Sequence, residues 1–410
     1  MKAPEIVTLS LTDMANGGAA LGRDEARRVI FVPFAIPGEQ VRAEVVEDHG
    51  RFAQARLLEV LETSPERTEP RCPHFGVCGG CAFQHITYEA QLRYKQNIVR
   101  DQLQRIGGLG DVDVRPTLAN DNSYEYRVNV TFFPTPEGGL GFWSPYEKQV
   151  IPIRECHIIR PELLELYQDI DLELPGLRSL TLRQGDDGAL LVGMAVNDVE
   201  PPELNTDFPV SVAMVLPDGQ AANLVGDNYI VQTVRGRDFR VSAGCFFYPD
   251  PQMTDLLVRQ VQEMAALTGR ETVLDAYAGV GTLAAFLAPD AAAIHAIEAN
   301  PDAVADAALN LADTENVAFY EGLVEEILPL LEVQADVVVV DPPPAGLPKD
   351  TVEQIVAHRP ARLIYISDDV ATLARDGKQL ARQGYRPVVV QPLDMYPQSY
   401  QIQTVSLWQQ

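Results

Sequence analysis

The sequence predicts an α/β protein in three parts: a small N-terminal β-barrel, a central β-rich domain and a C-terminal doubly wound α/β domain. Short runs of alternating polarity between glycine turns fill the N-terminal part. Strand-like runs with polar loops dominate the middle, and strands alternate with helices from Met253 onward. We expect domain boundaries at 1–62, 63–240 and 241–410, which suits a chain of 410 residues.

Four strand-like runs predict that the N-terminal domain is a barrel of the OB type. Turn signals at Asn16-Gly17-Gly18 and Pro37-Gly38 separate several of these runs. The runs are Ile6–Leu9, Arg28–Val32, Gln40–Val45 and Ala53–Val60.

A cysteine motif follows the predicted barrel. Cys72, Cys78 and Cys81 lie within Cys-Pro-His-Phe-Gly-Val-Cys-Gly-Gly-Cys, and Cys156 follows in Arg-Glu-Cys-His. Two thiolates separated by two residues can hold one metal centre, and the Gly79-Gly80 pair allows the backbone to approach an inorganic cluster. Four sulfurs suit either tetrahedral zinc or an iron–sulfur cluster. Two disulfides are disfavoured, because five cysteines in 410 residues are not typical of a secreted scaffold.

Beyond the motif, the segment Tyr88–Ile106 predicts an amphipathic helix, and the central domain reads mostly as strands. Tyr126–Phe133 and Leu190–Val196 are two of the predicted strands. The apolar stripe of the helix consists of Leu92, Ile98, Val99, Leu103 and Ile106.

The C-terminal domain predicts a nucleotide pocket at its strand ends. Val273–Thr282 places a turn of small residues between a strand and a helix, and Gly279 and Gly281 allow close approach of an adenosyl group. Glu298 ends the next predicted strand, where it can accept both ribose hydroxyls, and Asp341 ends the fourth. A dinucleotide is disfavoured, because the turn lacks Gly-x-Gly-x-x-Gly. The late strands Pro387–Val390 and Thr404–Leu407 are expected to be antiparallel.

The charge is strongly negative and unevenly distributed. The net charge is -26, and residues 161–410 hold 14 Lys+Arg against 37 Asp+Glu, whereas residues 1–160 hold 18 against 21. This balance argues against a broad phosphate-binding face, so any nucleic-acid contact should be local and N-terminal. No long apolar run predicts a membrane span, and we expect a soluble, cytoplasmic monomer.

The chain resembles the RNA (uracil-5-)-methyltransferases, and most the branch that acts on 23S ribosomal RNA. The N-terminal barrel is similar to a TRAM domain, with Phe31-Val32-Pro33 and Pro37-Gly38-Glu39. The resemblance implies a C-terminal class I methyltransferase domain and RNA, ribosomal in type, as the partner. It implies that the four motif cysteines hold a [4Fe-4S] cluster. It implies S-adenosylmethionine binding by a set of matching positions, Tyr248, Asp275, Tyr277, Gly279, Gly281, Glu298 and Asp341.

The same resemblance shows that this chain differs from the family at the positions of the catalytic residues. The family's nucleophilic cysteine corresponds to Asp368 in Tyr365-Ile366-Ser367-Asp368, and its base glutamate corresponds to Gln403. Pro344 replaces an arginine after Asp341-Pro342-Pro343, and Tyr248 replaces a glutamine that contacts the cofactor. A thiolate must add to uracil C6 before C5 can accept a methyl group, and a base must then remove the C5 proton. We therefore predict that standard uridine C5 methylation is lost.

Three hypotheses stay open on this basis. The first is a family member without its original catalysis, in which Cys245 is a buried, inert thiol. The second is an active RNA methyltransferase with altered chemistry, in which Asp368 or Asp369 serves as a base near Asp341. The third is a non-catalytic RNA-binding iron–sulfur protein.

Overall fold

Five strands form a closed N-terminal barrel in the order β1-β2-β3-β5-β4. The structure is a computed structural model and describes residues 5–136, 138–172, 174–197, 209–217 and 219–410. The first four residues of the expected 1–62 domain lie outside this part. The prediction of four strands missed one, β2, because this strand is short and consists mainly of small residues with low β-propensity. The barrel strands are β1 (Ile6–Met14), β2 (Ala19–Arg23), β3 (Val29–Pro33), β4 (Gln40–Asp48) and β5 (Phe52–Glu62).

A helix and one wider, π-helical turn follow the cysteine motif. Helix α1 (Tyr88–Gln102) continues into one π-helical turn over Leu103–Gly107 and ends at Gly108, whose φ is 64°. The wider turn rotates the last residues relative to the helical stripe. Ile106, a member of the predicted apolar stripe, is therefore 39% exposed. No helix in the described ranges is long and apolar enough to cross a membrane.

The central domain is built around a seven-stranded sheet in the order β12-β11-β10-β9-β6-β7-β8. Helix α2 (Pro161–Asp169) covers it, and a separate hairpin of β13 (Tyr229–Val234) and β14 (Arg237–Ser242) leads to the last domain. The sheet strands are β6 (Asn129–Pro134), β7 (Leu140–Ser144), β8 (Gln149–Pro152), β9 (Leu177–Gln184), β10 (Leu190–Val196), β11 (Val210–Val215) and β12 (Ala221–Val225).

The C-terminal domain is a second seven-stranded sheet in the order β17-β16-β15-β18-β19-β21-β20. Its strands are β15 (Thr272–Ala276), β16 (Ala293–Glu298), β17 (Val317–Glu321), β18 (Val337–Val340), β19 (Arg362–Ser367), β20 (Arg386–Leu393) and β21 (Gln403–Gln409). The helices are α3 (Pro251–Ala265), α4 (Thr282–Leu287), α5 (Pro301–Asn310), α6 (Val324–Ile327), α7 (Lys349–Ala357) and α8 (Val370–Arg382). Strand β18 is fully buried, as expected for a parallel strand covered on both faces. Strand β21 is antiparallel to both neighbours, as predicted.

The cysteine motif and α1 are fastened to the loop between β20 and β21. The backbone N–H groups of Ala82 and Phe83 donate to the carbonyl oxygen of Gln398 at 3.0 and 2.9 Å. Gln91 Nε2 donates to the side-chain oxygen of Gln398 at 3.0 Å. Gln398 has a φ of 68° and is 3% exposed, so tertiary contacts hold it in an otherwise unfavourable conformation.

A buried ion pair fastens the same junction. Lys95 Nζ donates to Asp394 Oδ1 and, at 3.0 Å, to the carbonyl oxygen of Tyr396. Both charged side chains are completely buried. Burial lowers the pKa of Lys95, and the adjacent Asp394 opposes that shift. Two desolvated charges at a domain junction fix its geometry, because each is costly without the other.

We predict that Lys95→Met destabilises the protein by roughly 3–5 kcal/mol, because Asp394 is left buried and unpaired. The double variant Lys95→Met/Asp394→Leu should recover most of that loss, since no isolated charge remains. Urea denaturation measures both. The exposed Arg42–Glu59 pair is the control, and Arg42→Ala should cost less than about 1 kcal/mol. Equal losses in the single and double variants at the buried site would contradict the prediction.

Candidate functional site

Three carboxylates meet at one edge of the C-terminal sheet. Strands β15, β16 and β18 are parallel neighbours, with Ala276 beside both Ile297 and Val340. Asp275 lies near the end of β15, Glu298 ends β16, and Asp341 follows β18. Ligands of open α/β sheets bind outside these strand ends. The structure thus brings together the three acidic residues that the sequence places there.

The turn after β15 requires glycine at one position for two separate reasons. Gly281 has a φ of 83°, and a Cβ on it would lie 2.9 Å from Leu311 Cδ1. Gly279 has a φ of 54°, and its N–H donates to Glu298 Oε2 at 2.9 Å.

The hydroxyl of Tyr277 donates to Glu325 Oε1 at 2.8 Å. Sequence reasoning missed Glu325, because nothing in the chain signals that α6 reaches this turn.

Backbone groups fix the Glu298 carboxylate. Besides Gly279, the N–H groups of Ala299 and Asn300 donate to its Oε1, both at 2.7 Å. A carboxylate fixed at a strand end in this way can accept hydrogen bonds from a diol.

Asp275 is the least satisfied group of the site. It is fully buried, and neither carboxylate oxygen has a hydrogen-bond partner among the described residues. Burial raises its pKa to about 8, and the nearby Asp341 adds to the shift. An unpaired buried carboxyl is unfavourable in the free protein and favours a ligand that brings a donor or a positive charge.

Tyr248 is positioned against the third carboxylate. It lies between β14 and α3, is 6% exposed, and its hydroxyl donates to Asp341 Oδ2. Burial raises the pKa of Asp341 to about 7, against the lowering effect of this hydrogen bond, and the charge of Asp368 raises it further. The Tyr248 hydroxyl therefore engages one oxygen of the Asp341 carboxylate, Oδ2.

The antiparallel pairing of β19 and β21 sets Asp368 across from Gln403. Ser367 pairs with Thr404, so Asp368, which follows Ser367, faces Gln403, which precedes Thr404. Burial raises the pKa of Asp368, and its charge acts on Asp341 and on the buried Tyr396. The sequence alone did not indicate that Tyr396 lies at this site.

Asp369 has a structural role instead. Its Oδ1 accepts from the N–H groups of Ala371 and Thr372 at 2.8 Å, which makes it the N-cap of α8. Of the two residues considered as a catalytic base, we therefore keep only Asp368 as a candidate.

Cys245 lies away from these carboxylates. Its side chain is 1% exposed, and its Sγ lies 3.6 Å from Asp306 Oδ2. Burial and the charge of Asp306 raise the pKa of this thiol. A thiol that stays protonated is a poor nucleophile, which fits the expectation of an inert cysteine.

The four motif cysteines line a second site, a small cavity of about 20 Å³ between the cysteine loop and the central domain. All four are free thiols. Gly80 N–H donates to Cys78 Sγ at 3.3 Å, and Cys72 N–H donates to Gln84 at 3.0 Å. Within the described ranges, no group of three or more His, Cys, Asp or Glu side chains is arranged closely enough to hold a metal ion.

Gly79 has a different explanation from the one the motif suggested. A Cβ on it would lie 2.2 Å from the carbonyl oxygen of Trp143, so this glycine permits close packing against β7. At Gly80, by contrast, a Cβ would lie 3.5 Å from Cys78 Sγ, so this glycine is the one next to a cysteine sulfur.

Comparison with known proteins agrees with this architecture. Residues 5–58 match the TRAM domain, and residues 219–389 match the tRNA (uracil-5-)-methyltransferase family. An uncharacterized RNA methyltransferase of Halalkalibacterium halodurans is 34% identical over 98% of this chain and 96% of its own. One from Porphyromonas gingivalis is 34% identical over 97% and 99%.

A solved structure has the same fold. The tRNA (uracil-54, C5)-methyltransferase of Pyrococcus abyssi, in complex with S-adenosyl-L-homocysteine, covers 98% of this chain and all of its own, with a TM-score of 0.74 at 24% identity. The family models and the curated relatives identify the class of the chain as RNA methyltransferases. The chain belongs to the RNA (uracil-5-)-methyltransferase family.

We predict that Asp275→Asn stabilises the ligand-free protein at pH 8 by more than about 1 kcal/mol and has little effect near pH 4. The folded-state pKa of about 8 lies above the ordinary 3.8, so the folded state binds more protons between these values. Stability is therefore lost as pH rises through this window. Thermal unfolding at both pH values measures the effect, with Asp350→Asn as an exposed control. The same shift at both pH values would refute the assignment.

Proposed function

We propose that this protein binds S-adenosylmethionine in the strand-end cleft and RNA through its barrel, but does not methylate uridine C5 by thiolate addition. The observation that carries the proposal is the pairing of β19 with β21, which sets Asp368 against Gln403 beside Asp341. These two positions correspond to the family's nucleophile and base.

The cofactor proposal rests on the fit of the cleft. Glu298 is held where it can accept ribose hydroxyls, and the unpartnered Asp275 suits a donor from the cofactor. S-adenosylmethionine carries a sulfonium cation, which favours an acidic cleft. The Pyrococcus abyssi enzyme of the same fold is described with S-adenosyl-L-homocysteine.

The loss of C5 chemistry follows from the side chains. An aspartate oxygen is a hard nucleophile, and its adduct at uracil C6 would revert readily. The amide of Gln403 cannot take the C5 proton at neutral pH. Cys245 is no substitute, because its thiol is buried against Asp306. Removing a nucleophile from such a unit can cost roughly 10^6 in rate.

The metal site is part of the same proposal. The metal proposal rests on the donor set, because four cysteine sulfurs line one largely apolar cavity and four thiolates are the ligands of a [4Fe-4S] cluster, with zinc as the alternative. The cluster would supply structural cross-linking of the loop, and we assign it no step in the reaction. Free thiols in this arrangement are consistent with a reducing cytoplasm.

The RNA is proposed to be ribosomal, bound by a monomer. The barrel and cysteine loop belong to the nearly neutral part of the chain, whereas residues 161–410 are strongly acidic. A phosphate backbone is therefore expected along the N-terminal side rather than across the catalytic domain.

We predict that the protein binds S-adenosylmethionine in calorimetric titration and yields no 5-methyluridine with ribosomal RNA transcripts and labelled cofactor. Glu298→Gln should weaken cofactor binding at least tenfold, because it removes a charged acceptor. Glu321→Gln is the matched control, since Glu321 pairs with Glu298 in register but is exposed on the edge strand. Robust 5-methyluridine formation would end the proposal, as would undetectable cofactor binding.

We predict that anaerobically purified protein is brown and contains iron and sulfide. Cys78→Ser and Cys156→Ser should each abolish the visible absorbance, whereas Cys245→Ser should leave it unchanged, because Cys245 lies outside the cavity. Metal analysis by mass spectrometry checks the assignment. A colourless protein with one equivalent of zinc would contradict it.

A further inference from the structure

The reactive end of the cleft presents hydrogen-bond acceptors and no thiol. Asp341 and Asp368 interact electrostatically there, with Tyr396 close to both. Both carboxylates are partly exposed, so a ligand can reach them. The cysteines of the described chain lie elsewhere, four around the metal cavity and Cys245 against Asp306.

These acceptors have spare capacity. Among the described residues, the Asp341 carboxylate accepts a hydrogen bond only from Tyr248, at Oδ2. No other described side chain bonds to the Asp368 carboxylate.

A side-chain amide also lies at this end of the cleft. The register sets Gln403, which is 2% exposed, across from Asp368. A primary amide offers both a donor and an acceptor, so this group suits a substrate edge that presents both.

The hydrogen-bond donors and acceptors on the edge of an RNA base determine which base suits such a cleft. Adenine and cytosine carry an exocyclic amino group with two N–H donors, whereas uracil presents the O4 acceptor at the corresponding position. Two carboxylates facing O4 would repel it and leave buried acceptors unpaired. The same carboxylates facing an amino group would each receive a hydrogen bond.

We infer that this cleft methylates an exocyclic amino nitrogen of an unstacked RNA base, adenine N6 or cytosine N4, with Asp341 and Asp368 as the acceptors that orient the amine. The inference rests on the proposed function for its cofactor and its RNA. It assigns a substrate class that needs no covalent enzyme adduct.

The reaction balances without a further reagent. The amino nitrogen attacks the methyl carbon of the sulfonium, and the N–C bond forms as the C–S bond breaks. S-adenosylhomocysteine leaves as a neutral thioether. The proton lost from nitrogen passes to Asp341 or Asp368 and then to solvent.

The ionisation of these groups agrees with this role. Burial raises the pKa of Asp341 to about 7, near the value at which a general base works best at neutral pH. The groups that face Asp341 are Asp275, Asp368, Tyr248 and Tyr396, and the nearby cation is Arg127, whose guanidinium lies 5.6 Å from the Tyr396 ring centroid. The rate of methylation should therefore rise as pH increases from 6 to 8 and the carboxyl loses its proton.

The test uses the full-length protein with methyl-labelled S-adenosylmethionine and unmodified transcripts of ribosomal and transfer RNA. The RNA is digested, and the labelled nucleosides are identified by mass spectrometry. We expect N6-methyladenosine or N4-methylcytidine. Asp341→Asn and Asp368→Asn should lower the yield at least a hundredfold, while Asp350→Asn, an exposed acidic residue on α7, should not. Cofactor binding by each variant is measured separately, and retained binding shows that the variant is folded.

The outcomes separate this inference from the proposed function. An N-methylated nucleoside that requires Asp368 supports both. Intact cofactor binding with no labelled nucleoside, or with label on a ribose hydroxyl, overturns the inference and leaves the proposed function standing. Labelled 5-methyluridine overturns both.

Discussion

The register of the C-terminal sheet is the constraint on which the candidate site depends. Hydrogen bonding between parallel neighbours brings Asp275, Glu298 and Asp341 to one edge. The insertion of β21 between β19 and β20 adds Asp368 and Gln403 to that edge. A slip of one residue would turn each of these side chains to the opposite face. The fully buried β18 opposes such a slip, since its side chains pack on both faces.

The cleft that results is electrostatically unsatisfied in the free protein. Burial raises the pKa of both Asp275 and Asp341, the charge of Asp341 adds to the first shift and that of Asp368 to the second, and no Lys or Arg of the described chain forms an ion pair with either. Such a site is stabilised by a ligand that brings positive charge or N–H donors. Negatively charged phosphate groups would be repelled by this acidic cleft, which agrees with RNA contact through the barrel side.

Much of this arrangement could be predicted from the sequence, because parallel sheets place their ligand groups by a general rule. Glu298 and Asp341 follow apolar strands, and that pattern is visible in the chain. Asp368 and Asp369 could not be told apart, because a helix cap and a cleft residue look alike until the start of α8 is known. The role of Gly79 was also hidden, since it depends on Trp143, which is distant in sequence. Strand β2 was missed because its partners, rather than its own residues, make it a strand.

The hydrogen bonds from the cysteine loop to Gln398 have a mechanical consequence. Gln398 lies five residues before Gln403 in the chain, and its strained backbone is held by Ala82, Phe83 and Gln91. Because Ala82 and Phe83 directly follow Cys81, these hydrogen bonds couple the position of the cysteine loop to the segment that leads into β21 and the acceptor end of the cleft.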